Sequence, residues 1–284
     1  MAVESKPAIA LIHVLCILAV VVMAFPVYMV FTASTHSLQA IMQKPMPLVP
    51  GNGLFANYGE AIAKGAESAG ASSASAATML KNSTIMAVGI TAGKIVISFL
   101  AAYALVYFHF PGRVTFFWLV MITLMLPVEV RILPTYKTMA DLGLLNTYPG
   151  LILPLIASAT ATFLYRQTFI ALPEELTEAA MIDGAGPWRF MTQILAPITK
   201  TTTAALIVIQ FIYGWNQYLW PLLMASSPRL HTVLVGINSM LSVGDQQAEW
   251  HVIMAVAILA MLPPVVIIIA MQHQFVEGMT EKDK

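Results

Sequence analysis

Glu174-Glu175-Leu176-Thr177-Glu178-Ala179-Ala180-Met181-Ile182-Asp183-Gly184-Ala185-Gly186-Pro187-Trp188 is a polar island between two long apolar stretches, too short to be a domain. Pro173 suits a first helical turn, the Glu174 and Glu175 pair suits the positive end of a helix dipole, and Gly184 can take the left-handed conformation that stops a helix. A helix of about ten residues is expected. Pro187, directly after the Gly184-Ala185-Gly186 turn, is placed to open a second helix through Trp188, Arg189 and Phe190 toward Pro197. The pattern predicts a rigid helical elbow on one membrane face. Small alanines let such a helix seat deeply in a groove of a partner, and Glu178 offers a carboxylate to a basic group there; the alternative is an ordinary amphipathic interfacial helix.

Outward from the island the chain turns apolar: 58% of its 284 residues are hydrophobic and 10% charged. Several apolar runs exceed the roughly 20 residues that cross a bilayer as a helix. The fold class expected is therefore all-α, a polytopic membrane protein with six transmembrane helices at 8–34, 82–108, 114–134, 148–170, 199–224 and 250–272. Residues 1–284 then make a single transmembrane domain, with a long loop at 35–81 and the elbow loop at 171–198. The low-complexity run 66–77 reads as a mobile connection, poorly ordered in part. Residues 8–34 are too long, and lack a well-placed small-residue cleavage site, for a removable signal peptide; they read as the first anchor. Lys6, Arg113, Arg166, Arg189, Lys200, Lys282 and Lys284 fall on one side, against Lys44, Lys64, Lys81, Lys137 and Arg229 on the other. The richer side is expected to be cytoplasmic, which places both termini and the elbow inside.

Much chemistry is excluded. The one cysteine, Cys16, permits neither an internal disulfide nor a thiolate metal cluster. Net charge is zero, and no basic cluster points to nucleic acid. A phosphate-binding loop needs Gly, four residues, then Gly-Lys-Ser/Thr, and the nearest approach, Gly89-Ile90-Thr91-Ala92-Gly93-Lys94-Ile95, has the wrong spacing and lies in an apolar span. Gly89 and Gly93 instead read as a face of small residues where another helix approaches closely. The six histidines are scattered without metal-ligand spacing. An enzyme, a metal site and a bound cofactor are all unexpected.

Charges inside the spans need partners or a wet cavity, since each costs at least about 2.5–3.5 kcal/mol at mid-bilayer. Lys94, Glu129 and Arg131 are the candidates. Glu129 and Arg131 lie between Pro127 and Pro134, and residues two apart on a helix diverge by about 200°, so they do not simply neutralise each other. One arrangement pairs Glu129 with Lys94 and leaves Arg131 facing a pathway, its planar fork open to an anion. A structural network with a partner subunit, or an Arg131 that snorkels into outer-interface water, would serve equally. Ser158, Thr162 and Arg166 form a stripe at i, i+4 and i+8 that either lines a route or makes helix–helix hydrogen bonds. Trp215, Asn216, Gln217 and Trp220 combine aromatics with amides, as an interfacial belt or as a polyol site.

Glu178-Ala179-Ala180, three residues, Gly184, nine residues, then Ile194-Leu195-Ala196-Pro197 resembles the coupling segment of ABC importer permeases, with Ala196 in place of the usual Leu. The likeness to the carbohydrate-type members covers nearly the whole chain, including Leu142-Gly143-Leu144-Leu145-Asn146-Thr147. Leu126-Pro127-Val128-Glu129-Val130-Arg131 and Tyr213-Gly214-Trp215-Asn216-Gln217-Tyr218-Leu219-Trp220-Pro221 look most like members that import sn-glycerol-3-phosphate. The resemblance implies a type I importer permease fold in a bacterial inner membrane. It implies a heterodimer with a second permease subunit, two cytoplasmic ATPase subunits that use ATP and Mg, a periplasmic substrate-binding protein and surrounding membrane lipid. Glu178, Ala179, Ala180, Asp183, Gly184 and Pro197 would couple to the ATPase. The implied substrate is sn-glycerol-3-phosphate or a glycerophosphodiester; a maltose-like oligosaccharide is the alternative. A stand-alone secondary transporter would show internal inverted repeats, and none is apparent.

Overall fold

The computed structural model describes residues 6–64, 74–242 and 248–280. In chain order its helices are α1 (Lys6–Ser34), α2 (Leu38–Ile41), α3 (Leu54–Ala63), α4 (Ala76–Tyr107), α5 (Arg113–Ile122) and α6 (Val128–Asp141). There follow α7 (Tyr148–Ile152), α8 (Ala159–Ile170), α9 (Glu174–Ile182), α10 (Pro187–Arg189), α11 (Ala196–Ile198) and α12 (Lys200–Trp215). The chain closes with α13 (Leu219–Met224), α14 (Val233–Leu241) and α15 (Trp250–Thr280). No strand occurs among the described residues, as the apolar periodicity requires.

The chain groups into two compact units, one of residues up to 77 with 236–261, the other of 78–235 with the remainder. In the first, α1 is apolar on every side, and Leu11, Leu15, Leu18 and Val22 all stand exposed, the signature of a helix solvated by lipid. The chain beyond α1 is more ordered than the expected loop. Asn57 on α3 donates to the carbonyls of Ser34 at 2.8 Å and His36 at 2.9 Å, satisfying acceptors that a helix end leaves open. Gly51 N donates to Thr35 Oγ1, and Ser34 Oγ meets Tyr58 OH. Residues 65–73, most of the stretch expected to be poorly ordered, lie outside the described residues.

The second unit holds the breaks. Among the described residues, three helices of the chain are long and apolar enough to cross a membrane unaided: 10–34, α4 and 250–272. Tyr148–Leu155 with α8, bent by 48°, and Pro187–Ile198 with α12, bent by 75°, are each apolar enough for a broken span or a re-entrant loop. The expected 114–134 span is not one helix: α5 passes into a 3-10 turn, Leu126 is extended, and α6 starts after Pro127. A proline there disfavours the helical conformation of the residue before it. The expected 199–224 helix likewise stops at Trp215 and resumes at Leu219, and the expected start at 82 moves back to Ala76. The all-α membrane class stands; six regular helices do not follow from length alone.

The expected small-residue face of α4 does admit a close neighbour. A Cβ at Gly89 would lie 2.7 Å from Ile152, and one at Gly93 2.5 Å from Ile156, where the α7 segment crosses. Gly93→Val should therefore destabilise the subunit by about 1–3 kcal/mol, as overpacking does. A lowered thermal midpoint of the purified protein is the measurement.

Two clusters flank α4. Met86 and Ile90 pack with Ile132, Leu151, Trp220 and Met224; further along, Ala102 and Tyr103 pack with Tyr165, Phe169, Phe190 and Leu195. Near the first cluster, Asn82 Nδ2 donates to the carbonyls of Arg229 and His231, and Tyr148 OH donates to Asn82 Oδ1 at 2.6 Å. Burial pushes the His231 imidazole below its ordinary range, against a smaller upward pull from a backbone hydrogen bond at Ala225. A histidine lowered on folding stabilises the native state fully above its unfolded value, about 6.5, and loses that contribution as pH falls from there through the folded value. His231→Gln should flatten this acid-side loss in a pH series of thermal midpoints.

Candidate functional site

The elbow is assembled as the residue order requires. Pro173 occupies the N-cap of α9, and Glu174 and Glu175 fill its acidic first turn. The C-terminus is a Schellman stop: Gly184 takes φ +70, its N–H donates to Met181 O, and Ala185 N–H donates to Ala180 O at 2.9 Å. Pro187 then opens α10, and a π-helical turn, Phe190–Leu195, leads into α11. Pro197 can neither donate to the Gln193 carbonyl nor sit flush against it, and the widened turn ahead of it is the local accommodation. A bend at Thr199 starts α12.

One face of the elbow is anchored and the other is bare. Tyr103 OH donates to Pro187 O at 2.8 Å, while Phe190 packs against the rings of Tyr103 and Tyr107. Ala180 is buried, but Met181 and Ile182 are 69% and 85% exposed and Trp188 73%. Glu178, Ala179, Asp183, Gly184 and Pro197 are all exposed. Met181, Ile182 and Trp188 are thus exposed apolar side chains in a segment that also carries the acids Glu174, Glu175, Glu178 and Asp183.

A second constellation lies beside the Met86 and Ile90 cluster. Arg131 and Thr135 on α6, Pro154 and Leu155, Gln217 and Trp220 line one cavity of about 140 Å³. Trp220 is 4% exposed, and its indole Nε1 has no hydrogen-bond partner among the described residues. Gln217 Nε2 donates to Tyr213 O at 3.1 Å, which holds the amide against the helix end. Arg131 is exposed. Lys94 is itself buried; its Nζ donates to Gln210 Oε1 at 3.0 Å and sits 3.4 Å from the centroid of the Tyr213 ring. One cation, Arg131, an indole donor and an amide thus line a single cavity where the helices break, while Lys94 is engaged by Gln210 and Tyr213 outside its lining.

Of the residues singled out from sequence, Arg131, Gln217 and Trp220 share this cavity, and Lys94 is outside its lining. Glu129 lies in the first turn of α6, and its side chain, with the proposed Lys94 pairing, is outside the described residues. Ser158 caps α8 by accepting from Ala161 N, and Thr162 Oγ1 donates to Ser158 O, so both are used locally. Ser158 O also accepts from Ser98 Oγ, a helix–helix bond. Trp215 is buried and stacks on Phe211, while Asn216 is exposed at the end of α12. Sequence reasoning missed Gln210 and Tyr213 as the groups that meet Lys94; a lone amide inside the apolar run 204–212 was the available signal.

Residues 94–281 match the family described as binding-protein-dependent transport system inner membrane component. The chain is 52% identical over 283 residues to the sn-glycerol-3-phosphate transport system permease protein UgpE of Rhizobium meliloti (strain 1021), covering 99% of this chain and 100% of that one. It is 49% identical, with the same coverage, to the protein of that name from Escherichia coli O157:H7. Among solved structures it resembles a bacterial ABC transporter involved in the import of the acidic polysaccharide alginate. There the TM-score is 0.81 at 20% identity, over 97% of this chain and 99% of that one. The exposed elbow, the broken spans and these relatives lead to one assignment: the chain belongs to the family of binding-protein-dependent transport system inner membrane components.

Proposed function

We propose that the chain forms one half of the translocation pathway for sn-glycerol-3-phosphate or a glycerophosphodiester in an ATP-driven importer. The other half is a second, different permease subunit. Two ATPase subunits, which use ATP and Mg, engage the α9 elbow from the cytoplasm, where both termini also lie, and a periplasmic binding protein delivers substrate. Residues 171–198 are the coupling loop and 35–81 the periplasmic one, within a single permease domain of six crossings.

The observation that carries the substrate reading is the cavity of Arg131, Gln217 and Trp220. Arginine's planar fork matches a phosphate, and the indole and amide suit glycerol hydroxyls. The names of the full-length relatives support the same substrate. The test is ATP-dependent uptake by the complete reconstituted complex, comparing labelled sn-glycerol-3-phosphate with labelled maltose. Uptake of the phosphate compound is expected. Uptake of maltose alone would overturn the substrate and leave the family standing.

A further inference from the structure

Away from both sites, a cavity of about 130 Å³ lies between the end of α4, the start of α5 and the second half of α8. It is lined by two arginines, Arg113 and Arg166, with Phe117 and otherwise aliphatic side chains. The Arg166 guanidinium lies 4.2 Å from the centroid of the Phe117 ring, a cation–π contact, and the planar fork offers further N–H donors. Arg113 stands in the first turn of α5, where the helix dipole disfavours a cation. Neither guanidinium has an acidic partner among the described residues. Both are half-buried, so an anion held between them would relieve a repulsion that water screens only in part.

We infer that Arg113 and Arg166 form a binding site for the phosphate of an anionic phospholipid headgroup. Its position selects the lipid. Ile170, which lines the cavity, ends α8 only a few residues before α9, so the site faces the membrane side that carries the elbow. Val114, Phe116, Trp118 and Leu119 of α5 are all more than half exposed, an apolar flank for acyl chains beside the headgroup. Basic pockets between transmembrane helices at a membrane surface suit anionic headgroups in this way. Bound lipid would tie α5 to α8 beside the elbow they support.

The complete complex, purified and then held in nanodiscs of phosphatidylcholine with phosphatidylglycerol, supplies the test. Native mass spectrometry should find phosphatidylglycerol retained by the wild type. Retention should fall about fivefold for each arginine lost, thus roughly 25-fold in Arg113→Gln/Arg166→Gln, while Lys200→Gln on the same face retains it. The charge-preserving pair Arg113→Lys/Arg166→Lys should hold an intermediate amount, and it serves if the glutamine pair does not assemble. Equal retention in wild type and both pairs overturns the inference. So does displacement of the lipid by millimolar inorganic phosphate, which would make the ligand a soluble anion, or a crosslink from residue 113 to a carboxylate of another subunit.

Discussion

Arg131→Gln is expected to lower ATP-dependent uptake of sn-glycerol-3-phosphate by about tenfold to a hundredfold, the equivalent of one hydrogen bond to a charged group. Arg131 is exposed on α6 and lines the cavity with Gln217 and Trp220, so its removal leaves the packed cluster of Ile132 and Trp220 in place. Assembly and basal ATP hydrolysis should therefore persist. Loss of uptake together with loss of assembly would mean that Arg131 is structural. An unchanged uptake rate would remove the arginine from the pathway altogether. Lys94 offers no substitute, because its ammonium is already committed to Gln210 and the face of Tyr213.

Glu178→Lys should abolish coupled uptake while leaving the subunit folded. Glu178 is exposed on α9, so reversing its charge costs the isolated chain little. Breaking a docked charge pair costs about 2–5 kcal/mol, roughly 30-fold or more in affinity for the partner. Co-purification of the ATPase subunits should fall accordingly. Uptake that survives the reversal would sink the coupling role of the elbow.

The elbow was legible because every decisive residue acts locally: acids at the start of α9, Gly184 at its stop and Pro187 at the next start. Gly89 and Gly93 were legible for a similar reason, since a missing side chain states that something must come close. The breaks were harder. Pro127 signals one, but the bend at 156–158 carries no proline of its own, and Ser158 read as part of a polar stripe when it is the cap of α8. Lys94 and Gln210 are 116 residues apart in sequence, and no local pattern joins them.

Of the three longest helices among the described residues, α1 and α15 contain proline and α4, across 32 residues, does not. Its neighbours are interrupted at 126–127, 156–158 and 216–218, and the elbow bends at Thr199. In mechanical terms α4 is a strut among joints. It holds Lys94 and Tyr103 about 14 Å apart along one axis at a rise of 1.5 Å per residue. If the elbow couples as proposed, a push received through the Tyr103–Pro187 contact would reach the neighbourhood of Lys94 as a displacement of the whole rod. On the proposed coupling role, the helix breaks would be the gears of this subunit and the unbroken, proline-free α4 its driveshaft.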